Sequence, residues 1–331
     1  MSRKAIFAVA ILALLAAAAP MPLAAQSSVK KISVLTNYVF HGRHSPLFVG
    51  VEKGFYKEAG FDVEISPASG SGFVVTAVDA GKADFGLADA GVVVQNLSKG
   101  ARVKAISVFM DASTAGLASM KPYSSLEELK GTTIAASPAD NARVILPVVF
   151  SFKGLDPSSV HWKASDPSVY ISLLLSNEVD LFTAAFDGDM PNLERVTAAQ
   201  GKKPHFLPFA DYGYDVFGFF LIAKEERTRT NPDEIERFRL ATAKAVQYAI
   251  ANPEEAATIM VKLNPTMRRE TVLAQWTRAM SAMKTDYVKT HGYGAATADR
   301  LQRTIDLTKT ALKLQTNIGP QELFFRLGDR K

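Results

Sequence analysis

Two histidines three residues apart, His41 and His44, bracket Gly42 and Arg43 between a β-like run and a helical one. Imidazoles so spaced can ligate a metal, move a proton or hold a ligand by hydrogen bonds. A metal centre needs three or four ligands, and no acid or further histidine stands close enough in sequence to complete one. Proton chemistry needs a nucleophile and an orienting acid in contact, which spacing alone does not supply. A purely structural role is also open, with His44 capping the helix that starts at Ser45-Pro46 and His41 exposed in its loop. The pocket reading rests on position. A loop at the carboxyl end of a strand, leading into a helix N-terminus, is where open α/β sheets bind ligands.

Four further turns have the same character. Pro67-Ala-Ser69-Gly70-Ser71-Gly72 offers small residues whose backbone N–H groups can approach a ligand at a helix start. It has neither the Lys-Ser/Thr ending of a nucleotide P-loop nor the spacing of a dinucleotide fingerprint, so no cofactor follows from it. Ala88-Asp89-Ala90-Gly91 closes the third β run, Ser137-Pro-Ala-Asp140-Asn141 precedes a helix, and Phe186-Asp187-Gly188 follows another strand. Each acid or amide can serve as a helix cap. Five such turns would face one cleft if two sheets pointed their carboxyl ends at it. Rings are available there too. Tyr38, Tyr212 and Tyr214 sit beside Asn37, Asp211 and Asp215, a setting for rings that stack on a flat ligand while their hydroxyls reach a polar group. Trp276, Met280 and Met283 follow helical spacing and read as core.

The elements that must hold these turns alternate quickly. Strand-like runs at 31–36, 62–65, 85–88 and 103–109 interleave with helical spacing at 47–59, broken by Gly54, and at 73–80 and 92–97. A second series has strand-like 132–136, helical 140–152, and β runs at 180–185, 205–208 and 217–223. Asn231-Pro232-Asp-Glu and Asn252-Pro253-Glu-Glu read as N-caps with proline at the first helical position and acids in the first turn. Alternation at this pace implies βαβ units and mostly parallel sheets. The expected architecture is α/β with two lobes, each a mostly parallel sheet flanked by helices, and a helical tail that returns to the first lobe. Chain passes near residues 115–120 and 217–223 would form the hinge between them.

Composition limits what such a fold can do. Basic residues at Arg3 and Lys4, an apolar run over 5–19, and small residues before Gln26 read as a signal peptide over residues 1–25. The formal charge of +5 falls to +3 without Arg3 and Lys4, and no basic stripe speaks for nucleic acid. The absence of cysteine excludes disulfides, thiolate metal sites, a cysteine nucleophile and a lipid-modified cysteine at the cleavage point. The expected organisation is lobe 1 over 26–117, lobe 2 over 118–218, and a hinge return with a helical part completing lobe 1 over 219–331. Such a protein would float free in a Gram-negative periplasm.

The run "SPLFVGVEKGFYKEAGFDVEI", then "VDAGKADFGLADAG", "SLEELKGTTIAAS" and "NEVDLFTAAF", resembles in order and spacing the NMT1/THI5-like family of type II periplasmic binding proteins. The resemblance covers almost all of the chain after residue 25. It implies two lobes closing on a solute for an ABC importer, with thiamine pyrimidine precursors as one ligand class and nitrate, sulfonates and taurine bound by similar receptors. His44 corresponds to the histidine that the pyrimidine branch keeps before this helix, whereas Asn37 and Tyr38 match that branch only loosely. A eukaryotic branch makes the pyrimidine itself, consuming a histidine with pyridoxal phosphate and carrying a cysteine-rich run. Here the corresponding region is "DYGYDVFGFF", without cysteine.

These readings converge on a non-enzymatic solute receptor with no metal or cofactor. Its expected partners are a small nitrogen-containing or aromatic solute and an inner-membrane ABC permease, and it is expected to be monomeric. Asn37, His41, His44, Asp89, Ser137, Asn141 and Asp187 would supply polar contacts, and Tyr38, Phe186 and Tyr212 would stack. Backbone from Ser69, Gly70, Ser71, Gly72, Ala88 and Ala90 would complete the pocket. Arg43 and Arg143 keep an anionic ligand open, since anions prefer arginine and helix N-termini.

Overall fold

The computed structural model describes residues 29–327 apart from 139 and 141. The expected signal peptide and Asn141 therefore lie outside the described residues. In chain order the first part runs β1 (Lys30–Leu35), α1 (Ser45–Glu52), α2 (Phe55–Glu58), β2 (Phe61–Ser66), α3 (Ser71–Asp79), β3 (Phe85–Asp89), α4 (Ala90–Ser98) and β4 (Val103–Met110). The second part runs β5 (Ala115–Ser119), β6 (Thr133–Ala136), α5 (Ala142–Ser151), β7 (His161–Ala164), α6 (Tyr170–Leu175), β8 (Leu181–Ala185), α7 (Met190–Ala198) and β9 (His205–Pro208). The chain returns through β10 (Phe219–Lys224) and ends in helices α8 (Glu225–Thr230), α9 (Pro232–Ala251), α10 (Pro253–Leu263), α11 (Arg269–Ser281), α12 (Asp286–His291), α13 (Ala298–Leu312) and α14 (Pro320–Leu323).

These strands build two five-stranded sheets, ordered β2-β1-β3-β10-β4 and β7-β6-β8-β5-β9. In each, one strand runs against the rest: β10 is antiparallel to β3 and β4, and β5 to β8 and β9. Helices cover both faces of such a sheet, so its strands must be apolar on both sides. β3 is buried over Phe85–Ala88 and β10 over Phe219–Ala223. The α1–α2 break expected at Gly54 is real, since its φ of 74° lies in the left-handed region that glycine enters without steric cost. The loop that carries the histidines is held from both ends. Phe48 of α1 packs edge-on against Phe40, and a Cβ on Gly42 would stand 2.4 Å from the Val272 carbonyl oxygen of α11.

The structure departs from the sequence reading in the hinge and the caps. Residues 115–120 are not a linker: Ala115–Ser119 forms β5, hydrogen-bonded on both sides inside the second sheet. Of the other expected pass, 217–223, which also reads as a β run, residues 219–223 lie in β10 inside the first sheet. The chain passes between sheets are instead the short segment after Met110 and the one before Phe219. Asn231 and Asn252 do occupy the N-cap positions of α9 and α10, with proline and acids following as expected, but their side chains make no capping bond; Asn252 Nδ2 donates to the Tyr248 carbonyl instead. Both asparagines sit at φ near −130°, ψ near 60°, and their caps make no side-chain bond. Trp276 is fully buried as core, with its Nε1–H on the Ala249 carbonyl. Among the described residues no helix is long and apolar enough to cross a membrane.

Candidate functional site

The loops that leave β1 and β8 at their carboxyl ends meet across the gap between the sheets. Arg43, in a tight helical turn over Gly42–His44, reaches Asp187 just after β8, with Nε 2.9 Å from Oδ2. Both side chains are almost wholly buried, at 5% and 1% exposure. The approach is off-axis, so Arg43 Nε and both Asp187 oxygens lack a protein hydrogen bond. The guanidinium also lies 4.9 Å over the Phe219 ring. A second link comes from Gln275 of α11. Its Oε1 accepts the Gly42 N–H at 2.9 Å and its Nε2 donates to the Gly188 carbonyl at 3.2 Å, so one amide holds both loops. Farther along the same helix, Arg278 pairs with Glu194 of α7 and covers the Phe186 ring at 4.6 Å.

The histidines are ordered by this arrangement. The backbone N–H of His41 donates to His44 Nδ1 at 3.1 Å, so that nitrogen is unprotonated. In the neutral ring Nε2 then carries the hydrogen, and it donates to Asn37 Oδ1 at 2.8 Å. Both nitrogens of His44 are thus engaged within the protein, and burial followed by the charge of Arg43 holds its pKa well below the ordinary value. His41 is half-buried, and its pKa is pushed down to about 4 by burial first and Arg43 second, against the pull of Asp187. Tyr38 stands edge-on to it at 6.1 Å.

Acids cluster about the arginine. Asp89 caps α4, its Oδ1 accepting the Val92 N–H at 3.1 Å, while its own N–H donates to Ser71 Oγ at 3.0 Å. Burial raises its pKa to about 6, with backbone hydrogen bonds and Arg43 opposing. Asp189 accepts the Ala185 N–H at 2.7 Å, and burial raises its pKa while Arg43 resists. Asp140 accepts from the Thr183 hydroxyl and the Ala142 N–H. Beside it the Ser137 N–H donates to the Tyr170 hydroxyl. Among the described residues no group of three His, Asp or Glu is arranged to hold a metal ion.

In front of the histidine loop lies a cavity of about 470 Å³ between α7 and α11. Val39, Phe40 and His41 line it with Asn192 and Arg195 of α7, and Met267, Arg268, Thr271, Val272 and Gln275 complete the wall. The structure therefore brings together Asn37, His41, His44 and Asp187, with Asp89 within electrostatic reach through Arg43. Tyr38 stands at the rim, 43% exposed, and Phe186 packs on Phe206 beneath Arg278. Tyr212 packs against the core of the second sheet instead. Ser69 and Gly72 are exposed, and Ala88 and Ala90 are fully buried flanks of the Asp89 cap. Gln275, Arg195, Arg268, Asn192, Asp189 and Arg278 carry no sequence signal, because each sits in or beside a helix whose pattern reads only as amphipathic. Arg43 was legible by its place between the histidines and Asp187 by its place after a strand, yet their pairing across the cleft was not.

The two-lobed fold with facing loops defines a type II periplasmic binding architecture. The periplasmic aliphatic sulphonate binding protein SsuA from Escherichia coli superposes with a TM-score of 0.66 at 13% identity, over 91% of this chain and 94% of that one. The periplasmic nitrate-binding protein NrtA from Synechocystis gives 0.54 at 15% identity, over 74% and 69%. The chain belongs to the family described as NMT1/THI5 like, whose model matches residues 41–256. A 4-amino-5-hydroxymethyl-2-methylpyrimidine phosphate synthase of Saccharomyces cerevisiae is 23% identical over 284 residues, covering 81% of this chain and 83% of that protein. A protein of the same name from Legionella pneumophila is 23% identical over 262 residues, covering 77% and 81%.

Proposed function

We propose that the protein is an exported, monomeric receptor that captures one small organic solute between its lobes and releases it unchanged to an ABC-type permease. The observation that carries this reading is the buried Arg43–Asp187 pair, contributed by loops of two different sheets. The attraction within such a pair exists only while the lobes are together, and opening returns both ions to water, so the pair can break and re-form as the lobes move. The site thus has the parts of a clamp: facing strand-end loops, polar groups without a hydrogen-bond partner, and two short passes that can bend. A flat solute with amino donors suits the carboxylates of Asp187 and Asp89, and Tyr38 and His41 supply rings at the entrance. Tyr38, Asn37, His41, Ser71, Asp89, Ser137 and Asp187 are the residues we assign to it, with His44 setting the loop through Asn37.

Pyrimidine synthesis with pyridoxal phosphate fits these residues less well. That cofactor requires a lysine amine, and among the described residues no lysine lines the cavity. Lys53, the first lysine after the histidines, pairs with Glu255 and lies over Tyr248. The test is a thermal-shift screen against pyrimidines, flavins, aromatic carboxylates, taurine, alkyl sulfonates and nitrate. A solute at 100 times its dissociation constant adds about 2.7 kcal/mol to stability, a clear rise in Tm. No rise with any of them would refute the receptor reading for those classes.

A further inference from the structure

We infer that the cavity in front of His41 is a seat for an oxyanion carried by the solute, a phosphate, sulfonate or carboxylate, gripped by Arg195 from one lobe and Arg268 from the other. The inference rests on the receptor reading and adds to it the charge of one end of the ligand. The two arginines line the same cavity from opposite sides of the cleft, Arg195 in the last turn of α7 and Arg268 at the residue preceding α11. Among the described residues neither has an acidic partner. Their neighbours in sequence and along the helix do: Arg269 pairs with Glu254, and Arg278 with Glu194. Among the described residues no carboxylate lines the cavity, and its other polar groups are the neutral Asn192, Thr271, Gln275 and His41.

Two further features have the same sign. The first turn of the thirteen-residue α11 opens on this cavity, adding the positive end of a helix. Closure itself brings two cations towards one space, a repulsion that a bound anion relieves. An oxyanion would therefore favour the closed form by touching both lobes, which is the differential affinity a ligand needs to shift a conformational equilibrium. Planar guanidinium forks match the paired oxygens of phosphate, sulfonate and carboxylate. The solute this arrangement favours has an amino or ring end towards Asp187 and an anionic end towards the arginines.

The experiment titrates the full chain at low ionic strength with inorganic phosphate, methanesulfonate and acetate, against chloride as control, reading Tm and calorimetric affinity. It is repeated with Arg195→Ala, Arg268→Ala, the double variant and Arg268→Lys, and with a neutral aminopyrimidine as a second probe. The wild-type protein is expected to be stabilised by at least one oxyanion beyond chloride. Each alanine should weaken that binding about tenfold, the double variant should lose it, and lysine should restore part of it. Equal oxyanion binding by the double variant, or no oxyanion effect beyond chloride, overturns the inference. Tight binding of the neutral aminopyrimidine to wild-type and double variant alike, with no oxyanion effect, removes the anion seat but leaves the receptor reading intact. Arginine-dependent oxyanion binding with no organic solute bound supports the seat and counts against that reading.

Discussion

Replacing Asp187 by asparagine removes one charge from a buried pair while keeping its size. With the cleft held shut, Arg43 would be left as an unpaired buried cation, and breaking such a pair costs about 3–5 kcal/mol. The lobes have an escape that a fixed core lacks, because opening returns the guanidinium to water. The cost should therefore appear as a shift in the closed-to-open ratio, by about a hundredfold or more at 1.4 kcal/mol per factor of ten. The chain has no cysteine, so Lys82→Cys in the first lobe and Lys153→Cys in the second accept a donor and acceptor dye cleanly. Both positions are exposed. Energy transfer should report a longer mean interlobe distance for Asp187→Asn without solute, and the melting transition should fall by less than the full pair penalty. An unchanged distance together with a loss of 3 kcal/mol or more would refute the reasoning, since the pair would then be a static part of the core.

The pH dependence follows from His41 and His44, whose folded pKa values lie below the ordinary histidine value. A lowered histidine adds stability that is complete above about pH 6.5 and lost as pH falls towards the folded value. Asp89, raised to about 6, works in the opposite sense, its contribution favouring the folded state on the acid side and vanishing as pH rises through 6. Asp189, also raised, works with Asp89, so the histidine contribution is isolated by substitution: between pH 6.5 and 4.5 acid should lower the melting temperature less, relative to the wild type, in His41→Gln, and an unaltered slope would contradict the assignment. Gly42→Ala should destabilise by about 1–3 kcal/mol through overpacking, because the new methyl would meet backbone and Cβ atoms of Val272, Gln275 and Trp276, and denaturant titration measures it. Arg300 of α13 pairs with Asp215 through two nitrogens, at 2.9 and 3.1 Å, and donates to the Asp111 carbonyl at 3.4 Å. These two acids lie on the two chain passes, so Arg300→Met should cost about 1.5–3 kcal/mol and widen the interlobe distance distribution in the same dye-labelled protein.

The turns were legible where local chemistry speaks. Gly54 announces a left-handed residue between two helical pieces, and a strand ending in Asp89 before small residues announces a capped helix, both of which the structure contains. β5 and β7 were not legible. Ala115–Ser119 reads "AGLAS", without the β-branched and aromatic residues that mark strands, and only pairing on both sides makes it one. His161–Ala164 is a four-residue edge strand with no buried alternation. The misplaced first hinge pass, 115–120, follows from the same error, small residues being taken for a linker. The five strand-end loops could be read because each follows a strand. Gln275 could not, since its partner Gly42 is 233 residues away and nothing local marks an amide on a helix as a bridge.

Capture without chemistry is tested by native mass spectrometry of the solute-loaded protein, followed over hours. A receptor should hold one solute per chain, keep a constant protein mass, and release the solute chemically intact. A changed solute, or a protein whose mass shifts as a histidine is consumed, would contradict it and make the cleft a reaction chamber.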